Sequence, residues 1–205
     1  MAIRKPATPT KRTLNALETK KKIFEKSIEL FKEYGFDTVT IGDITSELDL
    51  SKGTFYVHFP SKESILIEQF RQIDAHYNEI YDLLPEDTSA VDAVLALMKG
   101  MCEYCANHVG LPLMQVIYAN QATASRASLI LTGDDRTIYI LLDEIYAKGL
   151  SSGEFCSVPE GMRFSDIIMR SARALIYDWC LCDGAFELEA EGSRHFQLVL
   201  KLFMK

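Results

Sequence analysis

Small polar residues that can cap helices occur at close intervals between residues 40 and 62, and they constrain the fold more than any other feature. Thr40 followed by Asp43 resembles a capping box that opens a short helix over 41–48. Ser51 and Ser61 each stand where they can cap a further helix. Helix starts this close together leave room only for short helices and tight turns, which is the layout of a helix-turn-helix.

Apolar residues recur at helical spacing along most of the remaining chain. The first such stretch begins at Thr19 and ends at Gly35, where a glycine commonly terminates a helix. A long helix is predicted from Lys62 to Leu84, because its apolar residues follow one helical face. No alternating strand series is visible, so we predict an all-α fold of about nine helices. The remaining predicted segments are 89–107, 111–124, 135–150, 161–182 and 187–204.

Charge is distributed unevenly along the chain. The 205 residues have a formal net charge of -7, which argues against a protein coated in basic residues. Residues 1–62, however, contain eleven Lys and Arg against eight Asp and Glu, so this part carries +3 and the remainder -10. Pro, Thr and basic residues at 1–16 predict a flexible basic arm. With 48% hydrophobic residues, the rest can form a core, which excludes a wholly disordered chain.

The cysteines favour a reducing compartment. There are five, an odd number, and none precedes Cys102, which is unlike a disulfide framework. The N-terminus lacks the apolar stretch of a secretory signal, and no run approaches the ~18 apolar residues of a membrane span. We therefore expect a cytoplasmic protein without a membrane partner.

One stretch resembles a known family. It reads Thr-Ile-Gly-Asp-Ile-Thr-Ser-Glu-Leu-Asp-Leu-Ser-Lys-Gly-Thr-Phe-Tyr-Val-His-Phe over 40–59, followed by Pro-Ser-Lys-Glu-Ser-Ile-Leu. This run is similar to the DNA-binding domain of the TetR family of transcriptional regulators, and the likeness covers about residues 17–77. The pattern Ser-x-Gly-Thr-Phe-Tyr-x-His-Phe with Ser-Lys-Glu after it carries most of the resemblance. The departures are small, chiefly Thr45, Ser46 and Asp49 where alanines and glycine are commoner.

The resemblance implies an architecture and a function. A three-helix DNA-binding domain at 17–77, with its helix-turn-helix motif at 40–59, would precede a larger helical domain at 78–205 that binds an effector and dimerises. Residues 51–58 would form the recognition helix, although Phe55 to Phe59 favour a strand on propensity alone. The chain would be a dimeric repressor that a small molecule releases from a palindrome-like operator in double-stranded DNA. It would be no enzyme, and no cofactor or metal is implied.

The residues expected to contact DNA are carried over from the same resemblance. They are Thr40, Ser51, Lys52, Gly53, Thr54, Tyr56, His58 and Lys62. Ser51, Lys52 and Thr54 would face base edges, since lysine can reach guanine and the threonine methyl can meet thymine. The side chains of Thr40, Tyr56, His58 and Lys62 would lie near phosphates. Contacts with phosphates set the register of the protein on DNA without reading its sequence.

The second domain contains candidates for an effector pocket and a dimer interface. Methionines adapt to irregular ligands and tyrosines add a polar group to an apolar wall, so the candidate pocket residues are Met98, Met101, Tyr104, Met114, Tyr118, Tyr139, Tyr146, Met169 and Tyr177. By resemblance the last two helices form the intersubunit contact, through Ile168, Ala172, Leu175, Ile176, Trp179, Phe196, Val199, Leu200 and Phe203. Packing within one chain remains the alternative for both sets.

Three other functions remain open on the sequence. Cys102 and Cys105 lie at i and i+3 with His108 beyond them, so the chain could be a thiol- or metal-responsive regulator, although buried packing also accounts for cysteines. It could be a DNA-organising protein without an effector. A helical thiol enzyme is the weakest alternative, because the sequence holds no catalytic motif.

Overall fold

Helices account for nearly all the regular structure in the computed structural model, which describes residues 10–123, 131 and 136–204 apart from the side chains of Phe70 and Thr123. The all-α prediction is confirmed: the described ranges contain nine α-helices, a π-helical segment and no strand beyond one isolated backbone pairing. The helices are α1 (Lys11–Tyr34), α2 (Ile41–Glu47), α3 (Lys52–His58), α4 (Glu63–Asp82), α5 (Ala90–Glu103), α6 (Leu111–Thr123), α7 (Thr137–Ser152), α8 (Phe164–Leu181) and α9 (Leu188–Leu200).

Helix α1 begins earlier than the sequence indicated. Thr10 caps it by accepting a hydrogen bond from the Thr13 amide at 3.3 Å, so residues 11–16 are helical and do not belong to a flexible arm. Residues 1–9 of the expected arm lie outside the described residues. The early start is hidden in the sequence because the first turns are exposed, Leu14 and Leu17 included, and have no buried face to set a period.

The chain divides into two compact units, Met1–Glu68 and Gln69–Lys205. The division falls within α4, nine residues before the expected boundary after residue 77. In the first unit, helices α1, α2 and α3 surround a core of fully or nearly fully buried apolar side chains: Ile23, Phe31, Phe36, Ile44, Phe55 and Phe59. Burial of these aromatic rings against α1 stabilises α2 and α3, two seven-residue helices that are too short to persist alone.

In the second unit, α5 packs against α7 and α9, and α8 packs against α6, α7 and α9. Close approach between α5 and α9 requires a glycine, because a Cβ added to Gly192 would lie 2.5 Å from Cys102 Sγ. The predicted helix over 89–107 does not continue as α-helix; it ends at Glu103 and passes into a π-helical segment, Tyr104–Val109, before Gly110. The wider π turn changes the register between α5 and α6.

Candidate nucleic-acid interface and internal cavity

Side-chain caps fix the geometry of the helix-turn-helix. The Asp43 amide donates to Thr40 Oγ1 at 3.2 Å and the Thr40 amide donates to Asp43 Oδ2 at 2.8 Å, which completes the capping box expected at α2. Ser51 caps α3 by accepting from the Thr54 amide at 3.0 Å. The turn between the helices places Asp49 at φ +52°, a left-handed conformation that explains why glycine suits this position.

Helix α3 separates a buried side from an exposed side. Phe55 is fully buried, whereas Lys52, Gly53, Tyr56 and Val57 are exposed and fall at i, i+1, i+4 and i+5 on the outer face. Val57, 80% exposed, was missed by the sequence analysis. The spacing could have indicated this exposure. Val57 lies two residues from Phe55 and two from Phe59, so it falls on a different face of the helix from these two buried rings.

The other candidates on α3 are less free. Thr54 is half-buried, and its hydroxyl lies 2.9 Å from Ser51 Oγ within the helix cap. His58 is also half-buried, at the last turn. The polar groups of this helix thus differ in exposure: Lys52 and Tyr56 are exposed, whereas Thr54 and His58 are half-buried.

Lys52 lies beside the start of α2. A Cβ added to Gly42 would be 3.4 Å from Lys52 Cε and 3.6 Å from its Nζ, and 3.3 Å from Thr40 Oγ1. The Thr40 hydroxyl and amide lower the pKa of Asp43, and the Lys52 ammonium contributes to that shift. Tertiary packing therefore brings Thr40 and Lys52, two of the expected DNA contacts, to one edge of the motif.

Lys62 has a different setting from the one expected. Its ammonium donates to the Val39 carbonyl at 3.0 Å and to the Phe36 carbonyl, and it lies 4.2 Å from the centre of the Phe36 ring. These contacts connect the start of α4 to the segment between α1 and α2. We therefore correct the sequence-based role: Lys62 holds this segment in place, and a phosphate contact is no longer needed to account for it.

Acidic neighbours offset much of the positive charge on α1. Lys20 pairs with Glu68 at 2.8 Å, Lys22 with Glu18 at 2.7 Å, and Lys21 with Glu25 at 3.7 Å. Lys52, by contrast, has no carboxylate within ion-pair distance in the described part of the chain. An exposed lysine that forms no ion pair is suited to contact DNA.

An internal cavity of about 20 Å³ lies within the second unit, enough for about one water molecule. Four of the candidate pocket residues line it: Met101, Met114, Tyr118 and Met169. Ile73 and Tyr77 of α4 complete part of its apolar wall. The cavity therefore joins α4 to α5, α6 and α8.

The other candidate pocket residues have other contacts. Tyr139 lies behind the wall, with its hydroxyl 2.7 Å from Arg173 Nη1, and Met98 is fully buried away from the cavity. Tyr104 accepts a hydrogen bond from Gln69 and stacks on His108. Tyr146 stacks on Phe164 at 4.6 Å and donates to a backbone carbonyl, and Tyr177 is 47% exposed. Met98, Tyr104, Tyr146 and Tyr177 therefore do not line this cavity, contrary to the prediction, and are packing or surface residues.

Two arginines line the cavity that the sequence analysis did not single out. Arg136 pairs with Asp74, with Nη2 2.8 Å from Oδ1 and Nε 3.3 Å from Oδ2. Arg173 donates from Nη1 to the Leu131 carbonyl at 3.1 Å and to the hydroxyl of Tyr139. For Arg173 the sequence does contain a signal. It is four residues after Met169 and three before Ile176, so the three residues lie on the same face of α8.

Burial makes the two neighbouring thiols poor nucleophiles. It raises the pKa of Cys102 to about 12 and also raises that of Cys105. Cys102 packs against Gly192, as the alternative of buried packing anticipated. Over residues 10–123, 131 and 136–204, no group of three or more His, Cys, Asp or Glu side chains is placed to hold a metal ion. The structure thus offers no support for a thiol- or metal-responsive regulator at this position.

The apolar residues chosen for the dimer interface are mostly internal to one chain. Of the nine, only Leu175 and Val199 are partly exposed. The correction has a simple cause, because a helix packed inside a bundle has the same apolar period as one packed on a partner. The other seven are buried: Ile168, Ala172, Ile176, Trp179, Phe196, Leu200 and Phe203.

No helix in the described residues combines the length and hydropathy that crossing a bilayer requires.

Comparison with known proteins identifies the class of the first unit. Residues 23–68 match the model for bacterial regulatory proteins of the tetR family. A Bacillus subtilis (strain 168) protein, the uncharacterized HTH-type transcriptional regulator YerO, is 50% identical over 50 residues, which is 24% of this chain and 17% of that protein. The present chain thus spans less than a fifth of the length of that relative.

Solved structures extend the likeness to the whole fold. A TetR-family transcriptional regulator from Pectobacterium atrosepticum superposes with a TM-score of 0.70 at 16% identity, covering 96% of this chain and 98% of the other. The transcriptional regulator FadR from Bacillus subtilis, in complex with stearoyl-CoA, gives a TM-score of 0.64 at 18% identity, covering 87% and 96%. Residues 23–68 thus match the DNA-binding domain of tetR-family regulators, and the whole chain shares its fold with solved TetR-family structures.

Proposed function

We propose that this chain is a dimeric repressor that binds a palindrome-like DNA operator through α3 and is released by a small-molecule effector. The observation that carries the proposal is the division of α3, whose aromatic side is locked into the core while Lys52, Gly53, Tyr56 and Val57 face outwards. A helix anchored in this way can enter the major groove without rearrangement.

Within this interface the side chains have different roles. Lys52 is suited to guanine O6 and N7, and the methyl groups of Val57 and Thr54 to the thymine methyl. Ser51 can also face base edges, and Thr40, Tyr56 and His58 supply hydroxyl and imidazole groups for phosphates. Lys62 supports the interface indirectly, through its hydrogen bonds to backbone carbonyls.

The dimer, in this proposal, forms through apolar residues that remain exposed on the last two helices. Tyr177 and Leu181 lie one turn apart on α8; Leu198 lies near the end of α9, and Leu202 lies two residues beyond it. Their burial against a second copy would remove a substantial apolar surface from water. Sedimentation analysis tests this: Leu181→Glu should yield monomers, whereas Leu83→Glu, at an even more exposed leucine after α4, should not.

The proposed effector site is the internal cavity of the second unit. Ile73 and Tyr77 bring α4 into its wall, and the first residues of the same helix, Glu63–Glu68, belong to the DNA-binding unit. A ligand that enlarges the cavity would displace α4 and thereby disfavour the DNA-bound conformation. The FadR relative, bound to stearoyl-CoA, motivates including acyl compounds among the candidates.

DNA selection followed by affinity measurement tests the central proposal. Purified protein should enrich a two-fold symmetric sequence from a random library, and fluorescence anisotropy should show tight binding to it. Lys52→Ala should reduce the preference for this sequence by ~1–3 kcal/mol. Lys21→Ala, which removes an exposed lysine paired with Glu25 on α1, serves as the matched control. Binding to all sequences alike would instead identify a DNA-organising protein.

A further inference from the structure

The cavity in the second unit has an unusual balance of charge. Its wall is apolar over most of its surface, with three methionines, yet two guanidinium groups, Arg136 and Arg173, reach it. Asp74 offsets the charge of Arg136 through two hydrogen bonds. Arg173 bonds only to a hydroxyl and a backbone carbonyl among the described residues, so its positive charge has no carboxylate partner there.

The remaining ionisable groups of the wall are neutral at neutral pH. Burial raises the pKa of Cys105, of Tyr118 and of Tyr77, so none of them provides a negative charge. A half-buried cation in apolar surroundings is costly unless an anion or a set of hydrogen bonds compensates it. An anion in the cavity would supply that compensation.

The hydrogen bonds around Arg173 leave two of its donor groups available for such an anion. Only Nη1 of its guanidinium is engaged, while Nη2 and Nε have no acceptor within the described residues. The Tyr139 hydroxyl accepts from Arg173 and keeps its own proton to donate. Tyr118 is committed elsewhere, because its hydroxyl donates to the Arg173 backbone carbonyl at 3.0 Å and holds that turn of α8 in place.

We propose that the effector is a carboxylate with an apolar body, and that Arg173 binds its carboxylate group while the Tyr139 hydroxyl behind it positions the guanidinium. The apolar body would lie among Met101, Met114 and Met169, whose unbranched side chains can move to enlarge a cavity of about 20 Å³. Arginine binds a carboxylate through two parallel hydrogen bonds, which gives both orientation and affinity. The inference rests on the proposed effector-released function and adds the chemical class of the ligand.

Calorimetry with the full-length protein tests the role of charge without any mutation. The probes share one chain length and differ in the end group: decanoate, 1-decanol, decylamine and decanoyl-CoA. We expect decanoate to bind about 10- to 100-fold more tightly than decanol, the range for a hydrogen-bonded charged group. Equal affinity for decanol, or binding of decanoyl-CoA alone, would overturn the carboxylate assignment.

Variants then locate the binding group. Arg173→Met should abolish the preference for decanoate over decanol, and Tyr139→Phe should reduce decanoate affinity about two- to tenfold. Arg170→Met is the matched control. Arg170 lies on the same helix, but its side chain is exposed and forms only a long ion pair with Asp166, at 3.9 Å. If Arg173→Met unfolds, as circular dichroism would reveal, Tyr139→Phe and the probe series still decide the question. Unchanged selectivity in folded Arg173→Met contradicts the proposal.

Operator binding measured with the same probes separates this inference from the proposed function. If decanoate binds through Arg173 but leaves operator affinity unchanged, effector release is refuted and the carboxylate site is supported. Release of the operator by a neutral probe would support effector release and overturn the carboxylate site.

Discussion

The hydrogen bonds that cap the helices of the helix-turn-helix are local, whereas those around the cavity of the second unit are long-range. Thr40 bonds to Asp43 and Ser51 to Thr54, in each case three residues apart. In the second unit, by contrast, Arg173 and Tyr118 are 55 residues apart, and Arg136 and Asp74 are 62 residues apart. A short sequence window therefore contains the information for the motif, whereas the cavity depends on side chains that meet only after folding.

The comparison also explains where the sequence-based expectations hold and where they do not. Both caps of the motif and the helical state of residues 52–58 agree with expectation. Lys62 departs from it, and its acceptors lie 26 and 23 residues away. Separation along the chain, rather than membership of one unit, thus marks the limit of inference from pattern.

The largest effect is expected from a core aromatic of the first unit. Phe55→Ala should cost about 3–5 kcal/mol, because it empties a fully buried site. Hydrogen exchange should show lost protection in α1–α3 while amides of α5 and α9 stay protected, because Phe55 belongs to the core of the first unit. Val57→Ala, on the exposed side of the same helix, should leave exchange unchanged; equal loss in both units would contradict the division.

Lys62 provides the next test, because its hydrogen bonds are long-range although it belongs to the first unit. Lys62→Met should reduce the free energy of unfolding by about 1.5–3 kcal/mol through loss of hydrogen bonds from a charged donor. Urea denaturation measures this, with Lys21→Met as the exposed control. The salt dependence of operator binding should keep its slope; a slope smaller by about 1 would restore the phosphate role.

Close packing of α5 on α9 predicts a smaller effect in the second unit. Gly192→Ala should destabilise by about 1–2 kcal/mol, because overpacking against Cys102 outweighs the better helix propensity of alanine. Cys102→Ala in the same chain should recover part of the loss, and a double-mutant cycle by thermal denaturation measures the coupling. Strictly additive effects would show that the methyl group introduced at position 192 does not contact the Cys102 side chain.

The smallest effect concerns pH and the capping box. Hydrogen bonds from Thr40 lower the pKa of Asp43 in the folded state from its ordinary 3.8. The stabilisation is therefore fully present above the unfolded pKa and is lost as pH falls through the folded pKa. Denaturation of the wild type and of Asp43→Asn should differ by a constant amount above about pH 5, and the difference should shrink below pH 4. A difference that grows on acidification would contradict the assignment.

The sequence by itself determined the helix content, the caps of α2 and α3, and the helix-turn-helix, because each depends on residues within about one turn of one another. Only the tertiary structure decided that Lys62 bonds to backbone carbonyls, that most apolar residues of the last two helices are internal, and that Arg173 reaches an apolar cavity. Helical periodicity shows that a face is buried, but it does not show against what. That partner is set by packing between residues far apart in the chain.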